Sequence, residues 1–249
     1  MKKTGLLISA VLFGLIAFSQ ENTSGKIIYE QTVKFEIKLE GEAAQFASQL
    51  PKERKSEMVL FFNDQQALYQ NNTAPKDDAM EMQSGGSNVM IRMVNPENKV
   101  FTDLTLGKQI EMREFMTRFF LIDSDVSTSW KITGNQKMIL NYPCQEATSV
   151  DGEKKIAAWF TPAIPVSVGP GKYGGLPGLI LSVDLDEGKN ITIAKSIDLT
   201  PVSKDIIGKP DKGKKVSREE FDKIVAEKIK ETGDNARTSG QSIMIRIQK

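Results

Sequence analysis

Along this chain, apolar and polar residues alternate with a period of two in one stretch after another. In GKIIYEQTVKFEIKLEGE, Val33, Phe35, Ile37 and Leu39 alternate with Lys34, Glu36 and Lys38, the pattern of a half-buried strand. KSEMVLFFN and ALYQ, parted by Asn63 and Asp64, read as two strands joined by a polar turn. NVMIRMV and KVFTDLTL form a hairpin around Asn95-Pro96-Glu97-Asn98, and KQIEMREFMTRFFLI continues in extended or mixed form. Trp130-Lys131-Ile132, a turn at Gly134-Asn135, KMILNYPCQEATSV, a turn at Asp151-Gly152 and KKIAAWFT continue the series. LILSVDLD and ITIAKSIDL pair through Glu187, Gly188 and Lys189, and alternating Ile243, Ile245 and Ile247 predict a final strand.

Helical spacing occurs twice. Ala43, Ala44, Phe46, Ala47 and Leu50 predict a short helix ending near Pro51. Ser217 and Glu220 form a capping box ahead of the stripe Phe221, Ile224, Val225 and Ile229, so a second helix starts there and stops near Thr232-Gly233. Asn71 to Ser87, with Pro75 and Gly85-Gly86 and few β-branched residues, reads as a loop, and GKPDKGKKV as a solvated lead-in to the helix. Strands do not alternate with long helices, which disfavours a doubly wound sheet. The expectation is a mainly β fold: a single curved antiparallel sheet or half-barrel with one or two packing α-helices.

At the amino end, Lys2 and Lys3 precede an apolar run from Leu6 to Phe18, with small residues at Ala17 and Ser19 and a polar sequence from Gln20 onward. This is the layout of a secretory signal over residues 1–19, cut between Ser19 and Gln20, with one domain over 20–249. Export to the periplasm or the medium follows. No later stretch is long and apolar enough to span a membrane.

Composition narrows the chemistry. The 249 residues include no histidine and one cysteine, Cys144. Without imidazole there is no Ser/His/Asp or Cys/His catalysis, and one thiol forms neither an intrachain disulfide nor a multi-cysteine metal site. A net charge of +1, falling to −1 once Lys2 and Lys3 are removed, does not suit a nucleic-acid partner. No catalytic residue, no cofactor and no resident metal is expected.

The most distinctive stretch is AWFTPAIPVSVGPGKYGGLPGLIL, where Pro162, Pro165, Pro170 and Pro177 mix with Gly169, Gly171, Gly174, Gly175 and Gly178. Gly169, Gly171 and Gly174 satisfy a GxGxxG spacing, but a proline lies inside it and no helix follows, so dinucleotide binding is disfavoured. A structured turn at the sheet's end is the main reading, with partner or ligand contact as the second. Pro165, Gly169, Pro170, Tyr173, Gly174, Gly175, Leu176, Pro177 and Gly178 are its candidate binding residues.

The same stretch resembles the GLPGLI family, exported proteins common in Bacteroidetes, through Gly175-Leu176-Pro177-Gly178-Leu179-Ile180. Trp130, YPCQEA from Tyr142, AWFT from Ala158 and IPVSVGP from Ile164 extend the resemblance. It implies export, a mainly β architecture and no established activity. At fold level such chains look like the curved half-barrels of periplasmic lipoprotein carriers, which suggests an apolar ligand.

Three functions follow as expectations. The first is a noncatalytic binding or assembly factor for an apolar or peptide ligand or a protein partner in the cell envelope. The second is Cu(I) handling by the thioethers of Met80, Met82, Met90 and Met93, although the opposite parity of Met90 and Met93 sends them to different faces. The third is a hydrolase using carboxylates alone. Asp184, Asp186, Glu187 and Asn190 lack the full calcium loop and read as a hairpin turn, and Cys144 reads as a buried small residue.

Overall fold

The computed structural model describes residues 23–34, 51–74, 78–84, 87–93, 96–126 and 128–239, of which 78–84, 87–93 and 232–239 by backbone alone. The signal segment 1–19, the helix expected over 43–50, the positions Phe35, Ile37 and Leu39, and the final strand at 243–247 lie outside these residues.

The chain forms β1 (Gly25–Lys34), β2 (Glu53–Phe62), β3 (Gln66–Asn71), β4 (Asp78–Ser84), β5 (Ser87–Met93), β6 (Asn98–Asp103), β7 (Lys108–Phe115) and β8 (Arg118–Asp125). It continues with β9 (Lys131–Ile139), β10 (Tyr142–Asp151), β11 (Lys154–Thr161), β12 (Leu179–Leu185), β13 (Asn190–Asp198), β14 (Lys214–Val216) and the helix α1 (Arg218–Ser239). Twelve strands make one sheet in the order β14-β8-β7-β6-β3-β2-β1-β13-β12-β11-β10-β9, and β4 and β5 pair with each other in a two-stranded ribbon. All pairings are antiparallel except that of β14 with β8. The sheet is thus two meanders, β1 to β8 and β9 to β13, joined where β1 pairs with β13.

Connectivity forces this sheet to curl. Strands β8 and β9 stand ten inter-strand steps apart, about 48 Å if the sheet were flat. Only residues 126–130 join them, and a fully extended chain of that length reaches about 20 Å. The two ends of the sheet must therefore face each other across a seam, as the half-barrel reading expected.

Inside the curl lies the main core, with Ile27, Tyr29, Met58, Leu60, Phe62, Leu179, Leu181 and Ala194 on alternate strand positions. Outside, Leu68 and Phe101 are covered by Val202 and Ile207 from the segment after β13. A third cluster joins Phe115, Phe120, Ile122 and Val216 to Phe221 of α1. The capping box at Ser217 forms: Glu220 N–H donates to Ser217 Oγ at 3.1 Å, and Ser217 N–H to Glu220 Oε2 at 2.9 Å.

Several local expectations need correction. The loop expected from Asn71 to Ser87 contains the end of β3 and all of β4, whose partner is β5, so NVMIRMV does not pair with KVFTDLTL. A cross-strand ladder satisfies this backbone despite its weak β propensity. Gly134 and Asn135 are not the turn: they lie within β9, where three residues between Ile132 and Gln136 face the single Glu146. The chain reverses instead at Leu140 and Asn141, both at positive φ. KQIEMREFMTRFFLI resolves into β7 and β8 around a turn at Met116 and Thr117, also at positive φ without a glycine to announce it. Lys214–Val216 of the lysine-rich lead-in is a strand, and α1 runs past Gly233 to Ser239.

Candidate functional site

Residues 162–178 do not form a turn at the end of the sheet. They enter the curl and fill it. Ile164, Val166 and Val168 are buried while the intervening Pro165 and Ser167 are exposed, an alternation kept outside any regular strand. Its cause is a chain of tight γ-turns: Val166 N–H donates to Ile164 O and Val168 N–H to Val166 O, both at 2.8 Å. Proline's fixed φ at the centre of the first suits that geometry. Pro177 centres a third, with Gly178 N–H donating to Leu176 O at 2.8 Å.

The rest of the segment is tied to β12 and to the seam. Leu179 N–H donates to Ile164 O at 3.0 Å, and Ile180 N–H to Val168 O at 2.9 Å. From across the sheet, the buried Tyr29 hydroxyl donates to Ile180 O at 2.7 Å. Trp130 Nε1–H donates to Gly174 O at 2.8 Å, and its ring meets Tyr173 edge-on at 6.3 Å. Two glycines permit this packing. A Cβ on Gly169 would lie 2.6 Å from Ile180 Cβ, and one on Gly178, at φ +147°, would collide with the Thr161 carbonyl.

Of the candidate binding residues, Gly169, Pro170, Gly174, Leu176 and Gly178 are buried in this packing, and Pro165, Gly175 and Pro177 sit at exposed turn positions. Tyr173 alone among them lines the large opening described next.

That opening is the seam itself, a cleft of about 1010 Å³. Gln109, Ser124 and Asp125 line one side, and Lys131, Thr148 and Ser149 the other. Lys172, Tyr173 and Arg218 of α1 complete the part nearest the packed segment. The walls carry many hydroxyls, and most of their charges are paired. Lys172 Nζ donates to Asp151 Oδ2 at 2.6 Å, and Lys155 Nζ to Glu187 Oε1 at 2.7 Å. Lys108 pairs with Asp125. Lys131 has no ion-pair partner among the described residues.

Behind Gln109 on the same inward row of β7, Glu111 is 5% exposed and accepts from both Arg113 and Arg218. Burial pushes its carboxyl up, but the two guanidinium groups outweigh that and hold it below the ordinary glutamate value. Arg113 also lies over the Phe221 ring at 5.5 Å, and its Nε is buried with no partner. The Lys172 hydrogen bond holds the Asp151 carboxyl below its usual range. Tyr173 is pushed up by burial, then by Asp151 and Glu111, so its hydroxyl stays protonated.

The remaining candidates lie elsewhere. Cys144 is buried, its thiol pushed up to about 11 by burial and donating weakly to Tyr142 O at 3.5 Å. Asp184 accepts from Gly188 N–H at 2.6 Å inside the β12–β13 turn, as a hairpin requires. In the ribbon, Met80, Met82 and Met93 stand opposite Ile91, Val89 and Asp78 on one face, and Met90 opposite Glu81 on the other. Met82 and Met93 flank Met80 at about 7 Å on either side, so this register does not gather the four positions around one point.

The family model described as "Protein of unknown function (Porph_ging)" matches residues 148–182. The resemblance to the GLPGLI family is shown over this short segment. It carries the packed interior segment together with Thr148, Ser149, Asp151, Lys172 and Tyr173 of the cleft wall. Two solved structures, those of PNGF-II in the P21 and C2 space groups, are similar to the chain with a TM-score of 0.52 and 13% identity. They cover 81% and 82% of this chain, which spans 33% and 32% of theirs. At that identity the likeness shows the fold alone. No curated protein matches the chain. No described helix is long and apolar enough to cross a membrane.

Arg218, Glu111 and Lys131 escaped the sequence reading. One signal was available for Glu111: Gln109, Glu111 and Arg113 precede Phe115 on one face of a strand, and a mostly polar face can be an inward one when charges pair across it.

Proposed function

We propose that this protein is an exported, noncatalytic binding factor of the cell envelope that holds a peptide segment in the seam cleft. The observation that carries this reading is the cleft itself, open, of a size that takes a ligand, and lined by Ser, Thr and Tyr hydroxyls able to donate and accept alongside apolar Val150, Ile156 and Ala157. The apolar interior that a lipid would need is occupied by Ile164, Val166, Val168 and Leu176, which favours a peptide over an apolar ligand. A noncatalytic role is supported by the state of one cleft carboxylate. Asp151 is ionised and bound to Lys172, and a general acid for hydrolysis needs a carboxyl held protonated near neutral pH.

Fluorescence anisotropy with a fluorescein-labelled Ser/Thr-rich octapeptide tests the reading, with a fluorescent fatty acid as the apolar rival. The octapeptide is expected to bind, and Thr148→Trp, which places an indole in the cleft, to weaken it at least tenfold. Binding of the fatty acid alone, or peptide binding untouched by Thr148→Trp, would overturn it.

A further inference from the structure

Two arginines share one buried carboxylate at the inner edge of the cleft. Glu111 neutralises one of Arg113 and Arg218, so the three side chains carry a net charge of +1 in a largely buried place. Charge removed from water calls for a counter-charge, and Glu111 is the one carboxylate bonded to the two guanidinium groups, while Asp151, which also feels Arg218, is bound to Lys172.

The donors around that excess point the same way. Arg218 spends one Nη on Glu111, while its side chain also lines the cleft with further N–H groups. Arg113 keeps a buried Nε with no partner. Across the opening stands Lys131, which has no ion-pair partner among the described residues, and the protonated Tyr173 hydroxyl in the same lining is a donor. Of the carboxylates in the lining, Asp151 is held by Lys172, Asp125 by Lys108 and Glu187 by Lys155, and Asp184 accepts from Gly188 N–H.

We infer that the cleft recognises a carboxylate on its ligand, seated between Arg218 and Lys131. The inference rests on the peptide-binding reading and names the group that orients the peptide. A guanidinium already anchored by Glu111 is pre-positioned, so it loses little side-chain freedom when a second carboxylate arrives. The carboxylate can be a peptide's own C-terminus or an acidic side chain, and the two sources differ in where along the peptide the charge must lie.

Three labelled octapeptides of one Ser/Thr-rich sequence separate these possibilities against the unmodified protein: a free C-terminal acid, its amide, and the amide with one central glutamate. The free acid or the glutamate peptide is expected to bind at least tenfold tighter than the plain amide, and the advantage to shrink as salt is raised. Whichever of the two gains identifies the source. Lys131→Gln, at an exposed position, is expected to remove most of that advantage, read as the ratio of acid to amide affinity. Equal binding of all three peptides would overturn the carboxylate inference and leave peptide binding standing; failure of all three to bind would remove both. An advantage that survives Lys131→Gln unreduced would also overturn the seat described here.

Discussion

Two regions of the same inner sheet face are filled by opposite chemistries. Beneath β1, β2, β12 and β13, the interior is dry: Ile164, Val166, Val168 and Leu176 pack on strand residues, and the segment's backbone is satisfied by its own γ-turns and by β12. Beneath β7 and β8, Glu111 between Arg113 and Arg218 adds an ionic cluster beside the apolar one of Phe115, Phe120 and Ile122, and the first turn of α1 covers both. The dry end is packed with buried side chains and carries stability. At the ionic end the seam lies open, and the proposed recognition is placed there. On the proposed reading, a single curved sheet separates folding from binding by which element covers which end.

The sharpest way to break this contrast is at Gly178. Gly178→Val puts a branched side chain at φ +147° against the Thr161 carbonyl, and a loss of about 4 kcal/mol or more is expected, read as a collapse of the urea midpoint. Ile164→Ala empties part of the dry end and should cost about 2–5 kcal/mol, with peptide binding retained in the folded fraction. If Ile164→Ala instead abolished binding at temperatures where the protein stays folded, the division of labour would be wrong.

At the ionic end, Arg218→Ala should cost about 1–3 kcal/mol, less than a fully buried pair because its side chain is 33% exposed and Arg113 still faces Glu111. The pH dependence sharpens the point. The Glu111 carboxyl is held below its ordinary value of 4.5, so the stability it contributes is present in full above that value. It is lost as the pH falls through the lower folded value. Stability measured by denaturant from pH 7 downward should therefore fall in the acid range, and more shallowly in Arg218→Ala, where less of the depression remains. The smallest effect is expected at the cap: Ser217→Ala removes one hydrogen bond to Glu220 N–H and should cost about 1 kcal/mol.

Much of the architecture was legible in the residue pattern. The β12–β13 hairpin, the β2–β3 turn at Asn63 and the start of α1 all carry their own chemistry: Asn63 Oδ1 accepts from the N–H groups of Gln65 and Gln66, and Ser217 and Glu220 cap each other. The errors fall where a turn lacks its usual residues or a strand its usual partner. Met116-Thr117 and Leu140-Asn141 take positive φ without glycine, and Gly134, which advertises a turn, marks an irregularity in an edge strand instead. The candidate site was less legible. Tyr173 was singled out and does line the cleft, but Gln109, Glu111, Lys131 and Arg218 come from segments far apart in sequence, and no local spacing joins them.

What the amino-acid order determined by itself is local: which residues extend, where the helix is capped, and that residues 162–178 hold unusual dihedrals. Tertiary structure alone decided which face of each strand is covered. A period-two pattern says that two faces differ without saying where each one looks, and in β7 both are buried, with Met112 on one and Glu111 on the other. The short link from β8 to β9 then closed the sheet upon the proline–glycine segment, so a stretch that reads as a loop became the core. Burial depends on what lies opposite, and that is a property of the whole chain's path.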